Sequence, residues 1–362
     1  MVHPDFTLFV PGPVEIDESI RQVGAARLPY MRTAEFSNLT FEVMDGLRRV
    51  VGTSGDVALM TASGTAAMEA AVSSLFGAGD RVLVVDGGTF GHRFAELCGI
   101  HQVPFETIPL SPGQSLDVDA FAAKVASGAF TGVLVNAHET STGVLYDVQA
   151  MGRALKGTGA LFVVDAVSTL CADPYRMDDW GVDATVFSTQ KGLALPPGMA
   201  FVAMGARAKE RALQAPRRTL YLHLSDYLKD GTRGQTPYTV AVGIVLQLHA
   251  RLARLDVDAE VAGVAARAAR FRRGIEGLPL AMLPQRPSNA ITALRLLDES
   301  IEAPVLVRRL GEERGMVLAP NGEPLRRTVF RVSHLGSQTF ADVDRVVAAL
   351  RDVLRPAGKG EV

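Results

Sequence analysis

Three short runs in this 362-residue chain carry side chains that could work on one another's behalf. In TASGTAAME (61–69), Ser63, Gly64 and Thr65 open a helix directly after an apolar strand. The backbone N–H groups and positive end of such a helix favour a phosphate, although Ser-Gly-Thr at a strand–helix junction is more commonly a plain N-cap. In VVDAVSTL (163–170), Asp165 closes a run of apolar strand residues, where a lone carboxylate is unfavourable to bury; a solvated strand end is the plainer alternative. In STQKG (188–192), Lys191 ends another such run, followed by Gly192 and the rigid turn Pro196-Pro197-Gly198. Most loop lysines are simply solvated, but the C-terminal strand edge is where open α/β sheets build their sites. An amine for an imine, a carboxylate for a ring nitrogen and a phosphate seat, each at the end of a different strand, are together what pyridoxal 5′-phosphate (PLP) requires.

Those ends belong to a repeating scaffold. VALMTA (57–62), RVLVVDG (81–87), TGVLVNAH (131–138), LFVVDAV (161–167), ATVFSTQ (184–190) and AFVAMG (200–205) are Val-rich and nearly continuous, as strands buried on both faces should be. The segments between them are long enough for crossover helices; in 65–75, Met68, Val72 and Leu75 recur at helical spacing. The order predicts an α/β fold with a mostly parallel central sheet and helices on both faces. A helix over 240–255 closes this region. Helices near 258–276 and 304–314 then accompany strands over 289–297 and 328–334, with Pro304 suited to a first helical turn and Gly315 to the position past a helix end. The last helix, 340–354, has Thr339 as its N-cap. The division expected is an N-terminal arm (1–20), a large α/β domain (21–258) and a small α+β domain (259–362). The polar tail RPAGKGEV is expected to fray.

Composition narrows the function classes. With 37 basic and 39 acidic residues, the formal charge of −2 gives no footprint for nucleic acid. No window reaches the roughly 18 apolar residues of a membrane span, and MVHPDFTLFVPGPVE has no secretory pattern, so a cytoplasmic location is expected. Cys98 and Cys171 form no CxxC pair and the seven histidines no HExxH, so no metal is expected and both cysteines read as small buried hydrophobes.

Further motifs carry a resemblance that runs nearly end to end. Pro11-Gly12-Pro13, SGTAAMEAA (63–71), HETSTGV (138–144), VVDAVST (163–169), STQKGLALPPG (188–198), GQTPYT (234–239) and FRVSHLG (330–336) stand in order along the chain. The chain resembles the class V aminotransferases of PLP fold type I, particularly the alanine/serine–glyoxylate (pyruvate) branch. The resemblance implies a PLP-dependent aminotransferase that moves an amino group from a small amino acid, of alanine or serine type, to a small 2-oxo acid such as glyoxylate or pyruvate. By it, Lys191 carries the cofactor as a Schiff base and then moves the Cα proton, and Asp165 pairs with the pyridinium nitrogen. Ser63, Gly64, Thr65 and Gln190 hold the phosphate, Phe90 stacks on the ring and Thr140 reaches its phenolic oxygen. Thr236 and Thr239 reach the cofactor phosphate of a partner subunit, which implies a homodimer with shared sites. In part of the family a tyrosine stands where Thr236 does. Arg331 clamps the substrate carboxylate and Gly12 lines the substrate pocket. Arg32 lies near the entrance, while His92 and His138 read as packing residues.

Several rivals remain beside this reading. A 2-aminoethylphosphonate–pyruvate aminotransferase shares the ETxTG-type turn but usually has Asn where Gln190 stands. A lyase or specialised biosynthetic transaminase of the family remains open, as does a catalytically silent PLP-binding protein, which would have no chemical need for Lys191, Asp165 and Arg331 together. A cysteine desulfurase needs a reactive cysteine toward the C-terminal domain, and none follows Cys171. A nucleotide-binding α/β protein would leave Lys191 unexplained, and neither common glycine fingerprint is present. Residues near 10–14, 28–36 and 320–324 line the pocket mouth in relatives, and 217–234, without clear periodicity, is expected to shape the entrance.

Overall fold

A computed structural model describes residues 6–354. The polar tail from 355 onward, and its expected fraying, lie outside the described residues. In chain order the strands are β1 (Thr7–Phe9), β2 (Asp56–Met60), β3 (Val82–Asp86), β4 (Phe105–Pro109) and β5 (Gly132–Asn136), then the hairpin β6 (His138–Glu139) and β7 (Val144–Leu145). After these come β8 (Leu161–Asp165), β9 (Ala184–Ser188), β10 (Ala200–Met204), β11 (Leu280–Met282), β12 (Ile291–Leu296), β13 (Met316–Pro320) and β14 (Val329–Ser333).

Seven strands form the central sheet in the order β2-β10-β9-β8-β5-β3-β4. β10 is antiparallel to both neighbours, and the remaining pairings are parallel. Burial on both faces explains the continuous apolar runs. Leu83, Val85, Val133, Val135, Phe162 and Val164 enter one core, while Val82, Val84, Leu134, Leu161 and Val163 enter the other. Strand periodicity of two divides each run between the layers. β4 is different: it is the edge strand, its residues alternate between exposed and half-buried, and Glu106 and Pro109 interrupt its apolar character.

The second sheet has the order β1-β13-β14-β12-β11 and packs against the helices Val257–Gly274, Ala303–Arg314 and Phe340–Leu354. Pro lies at the start of Ala303–Arg314, and Gly315 ends it with φ of 63°, the left-handed conformation that favours glycine. At the last helix, Thr339 Oγ1 accepts the Asp342 amide at 3.2 Å while Asp342 Oδ2 accepts the Thr339 amide at 2.8 Å, a reciprocal cap. β1 joins this sheet by parallel pairing, Thr7 opposite Met316 and Phe9 opposite Leu318, so Thr7–Phe9 is held by the last quarter of the chain.

Two segments differ from the expectation. The run 131–138 is not one strand, since β5 ends at Asn136 and β6 begins a separate hairpin with β7. Within 217–234 a helix, Leu224–Gly231, forms over the region of β2 and the helix Gly64–Leu75. Tyr221 and Tyr238 stack there with centroids 4.9 Å apart, and Tyr221 donates to the Thr61 carbonyl at 2.9 Å. The segment is pinned by hydroxyl-to-carbonyl bonds, which leave no apolar period to read.

Candidate active site

β2, β3, β5, β8 and β9 all run the same way, so their C-terminal ends share one edge. Asp165 and Ser188 end two of these strands, and the helices Gly64–Leu75 and Thr89–Ile100 begin just beyond two others.

Lys191 stands three residues past β9 in a loop folded back on itself, with the Thr189 hydroxyl donating to the Pro196 carbonyl at 2.7 Å and the Ala194 amide to the Lys191 carbonyl at 2.9 Å. Gly192 is tightly confined, because a Cβ there would lie 2.0 Å from the Leu170 carbonyl oxygen. The N-terminal arm presses on the lysine from another side: a Cβ on Gly12 would lie 2.9 Å from the Gln190 carbonyl oxygen and 3.0 Å from Lys191 Cδ. Burial lowers the Lys191 amine to about 8, the Arg331 charge pushes the same way, and Asp165 opposes both.

Asp165 is only 6% exposed and accepts the Val167 amide at 2.8 Å. Burial raises its carboxyl to about 6 and Glu139 adds to the rise, against the Val167 amide, Lys191 and Arg93. It is a buried carboxylate without a directly bonded cation among the described residues, suited to a protonated ring nitrogen.

Ser63 is the exposed N-cap of Gly64–Leu75, and its side chain makes no capping bond. The Gly64 and Thr65 amides meet no acceptor among the described residues. Beside them lies the buried Ser188 hydroxyl, 3.4 Å from where a Gly64 Cβ would be and without a partner of its own. Two free amides and an unpaired hydroxyl fit a phosphate group. Thr65 Oγ1 accepts from Arg93 Nη1 at 3.2 Å, and the Arg93 guanidinium carbon lies 4.8 Å from the centroid of the Phe90 ring.

The β6–β7 hairpin joins the two sheets. Thr140 and Ser168 share a hydrogen bond between their hydroxyls at 2.5 Å. His138 donates from Nδ1 to the Ser168 carbonyl at 3.1 Å, its Nε2 is buried without a partner, and burial lowers it to about 3, so it is neutral. Arg331, on β14, donates to the Thr140 carbonyl at 3.1 Å and the Pro320 carbonyl at 2.8 Å. Its Nε is buried and unbonded, burial lowers its pKa, and no carboxylate among the described residues forms an ion pair with it. Asn321 adds a second tie, donating to the Ser141 carbonyl at 2.7 Å.

Sequence reasoning did not single out Glu139, Ser188 or Arg93. Glu139 is fully buried and accepts the amides of Phe90 (3.1 Å), Gly91 (3.0 Å) and Ser141 (3.1 Å), the Asn136 side chain (2.9 Å) and the Ser141 hydroxyl (2.5 Å). It caps Thr89–Ile100 and so fixes where Phe90 stands. The available signal was a charge inside HETSTGV, an otherwise uncharged-polar and apolar run, because a carboxylate there needs partners. Neither Thr236 nor Thr239 bonds a residue of this cluster within the chain, although the Ala241 amide that follows them donates to Thr61 Oγ1 at 2.9 Å. The Thr236 hydroxyl donates to the Tyr238 carbonyl at 2.8 Å, Thr239 is exposed, and Arg32 Nη1 bonds the Thr236 carbonyl at 2.7 Å and the Gln235 side chain at 2.9 Å. The Gln190 side chain makes no hydrogen bond among the described residues. Both cysteines are buried, their thiols pushed up to about 12. No group of three or more His, Cys, Asp or Glu among the described residues is arranged to hold a metal, and no described helix is long and apolar enough to cross a membrane.

The architecture is that of the PLP-dependent enzymes of fold type I. It superposes on an aspartate aminotransferase of subgroup IV from Thermus thermophilus with a TM-score of 0.90 and 32% identity, covering 96% of this chain and 99% of that one. Residues 21–221 match the family described as Aminotransferase class-V, and the chain belongs to that family: it is a PLP-dependent transaminase. Among curated relatives, an L-aspartate–glyoxylate aminotransferase from Paracoccus denitrificans is 30% identical over 97% of this chain and 91% of its own length. A Synechococcus protein named soluble hydrogenase, small subunit, is 33% identical over 97% of this chain and 93% of its own length.

Proposed function

We propose that the enzyme transfers the amino group of a small amino acid to a small 2-oxo acid of glyoxylate or pyruvate type, with Lys191 as the cofactor's attachment point and proton carrier. The observation that carries this reading is Arg331: a half-buried guanidinium held by two backbone carbonyls, with its buried Nε unsatisfied and, among the described residues, no carboxylate paired to it. A substrate α-carboxylate completes it with charge-assisted bonds.

When bound, PLP supplies an electrophilic carbonyl and an electron-withdrawing ring. The chain's residues do the rest. Lys191, lowered to about 8, gives up its proton far more readily than a free lysine, so its Nζ can bond the cofactor and afterwards accept and return the Cα proton. Asp165 keeps the ring nitrogen protonated by remaining ionised against it. Ser63, Gly64, Thr65 and Gln190 hold the phosphate, and Ser188 joins them. Phe90 stacks on the ring, held in place by Glu139, and Thr140 bonds the phenolic oxygen. Gly12 lines the substrate pocket and keeps bulk away from Lys191. Thr236 and Thr239, which bond no residue of the cluster in their own chain, serve the phosphate of a partner subunit in a homodimer.

Aspartate is the second reading for the donor. The Paracoccus and Thermus relatives carry aspartate in their names, and a dicarboxylate needs a second cation. Arg32, tied to the Thr236 carbonyl, accompanies Thr236 into the partner's site in such a dimer. A hydrogenase role, as in the name of the Synechococcus relative, finds no grouped ligand set among the described residues.

The test is an absorbance scan as single amino donors are added without 2-oxo acid. Alanine, serine or aspartate should each be tried, and loss of the yellow lysine-bound band with one of them supports the reading. Conversion by 2-aminoethylphosphonate alone overturns it. A band that none of these donors alters overturns it in favour of a lyase or a transaminase with a specialised biosynthetic donor.

A further inference from the structure

Arg93 has no role in the reading above, yet its surroundings are specific. It lies one helical turn past Phe90, with its guanidinium over the ring at 4.8 Å, a favourable cation–π arrangement. The same guanidinium donates to Thr65 Oγ1 at 3.2 Å. It is half-buried, and no carboxylate among the described residues forms an ion pair with it. An unpaired guanidinium beside two free helix amides concentrates positive charge on one spot.

A threonine hydroxyl has one proton to donate and two lone pairs that accept. With Arg93 donating into Oγ1, one lone pair is taken, and the hydroxyl proton is left for another acceptor. We propose that Arg93 is a positioning residue of the phosphate seat, aligning the Thr65 hydroxyl as a hydrogen-bond donor to the cofactor phosphate. The proposal rests on the phosphate lying at Ser63–Thr65. Because the guanidinium polarises the hydroxyl it bonds, the two strengthen one another toward a dianion. Arg93 therefore matters for a ligand that carries the phosphate, not for the pyridine ring alone.

Full-length protein stripped of cofactor is titrated with PLP and, separately, with pyridoxal, which lacks the phosphate. Arg93→Met should raise the Kd for PLP roughly tenfold or more while changing that for pyridoxal less than about threefold. In a Thr65→Val background the same change should fall below about threefold, and in Thr65→Ser, which retains the hydroxyl, it should return. If Arg93→Met does not fold, Arg93→Lys enters the same cycle, with at least a threefold loss for PLP expected because a single ammonium does not reproduce the fork. Equal weakening of PLP and pyridoxal would mean that Arg93 acts through the Phe90 ring, and would overturn the proposal. So would full additivity with Thr65→Val. If Ser63→Ala and Thr65→Val leave the preference for PLP over pyridoxal untouched, the phosphate position itself is wrong; if they reduce it and Arg93→Met does not, only the role of Arg93 fails.

Discussion

Asp165→Asn should stabilise the cofactor-free enzyme while disabling the loaded one. The side chain is 6% exposed, and burial is the leading cause of its rise from 3.8 to about 6. The folded state therefore binds this proton more tightly than the unfolded state, so the wild-type carboxyl disfavours folding increasingly as pH climbs from about 4 through 6. A rise of about two pKa units corresponds to ~3 kcal/mol against the folded state at pH 8 and roughly half that at pH 5. Asparagine is isosteric, carries no charge and retains an oxygen for the Val167 amide, now received at 2.8 Å. Allowing for the polar amide that remains buried, a net gain of ~2 kcal/mol at pH 8 is expected, shrinking toward pH 5. Urea unfolding of both proteins at the two pH values measures it, with PLP retention followed in parallel. A variant no more stable than wild type at pH 8, or equally improved at both pH values, would refute the reasoning that burial sets this carboxyl's pKa.

Other expectations follow from the same geometry. Arg331→Ala should raise KM for the amino donor roughly 100-fold, with the Kd for PLP moving less than about threefold; steady-state kinetics beside a cofactor titration separates the two, and an unchanged KM removes Arg331 from the substrate. Glu139→Ala leaves the Phe90 and Gly91 amides unpaired in a buried place and should lower the unfolding free energy by about 3 kcal/mol, read as a reduced urea midpoint. Capture of PLP requires a neutral Lys191, so its second-order rate should rise with pH up to about 8 and level off above it; a stopped-flow profile still climbing near pH 10 would contradict the lowered amine. The same lowering makes the unfolded chain bind the extra proton between about 8 and 10.5, so the penalty this buried amine places on folding is relieved as pH rises through that window.

The sheet was legible because its strands are buried on both faces: continuous Val-rich runs leave little else to be, and all six stand within a residue or two of strands in the structure. β4 was not, because an edge strand with Glu106 and Pro109 lacks that signature. Lys191, Asp165 and Ser63–Thr65 were readable as chemistry because each follows such a run. Glu139 and Arg93 were not, because their partners lie far off in sequence. Glu139 caps a helix that starts 49 residues earlier, counted from the Phe90 amide, and Arg93 reaches back 28 residues to Thr65. Arg331 became readable only by resemblance, since the carbonyl it grips at Thr140 is 191 residues away. A strand periodicity reports burial, but it does not report which distant carbonyl a guanidinium will meet.

The pairing of β1 with β13 sets an order of assembly on the ribosome. The strands of the central sheet have all been synthesised once Met204 emerges, yet Thr7–Phe9 has no strand to join until Met316–Leu318 has followed. At typical elongation rates that interval is on the order of ten seconds. Gly12, three residues past β1, is carried by that strand, and the segment is fastened further by the Ser337 amide donating to the Glu15 carbonyl and the Gln338 side chain donating to the Leu8 carbonyl. Throughout the interval a nascent chain can hold a formed sheet with the Lys191 amine still uncovered. Vitamin arriving then meets an open vessel, and the last quarter of the polypeptide, by drawing the first residues home, puts on its lid.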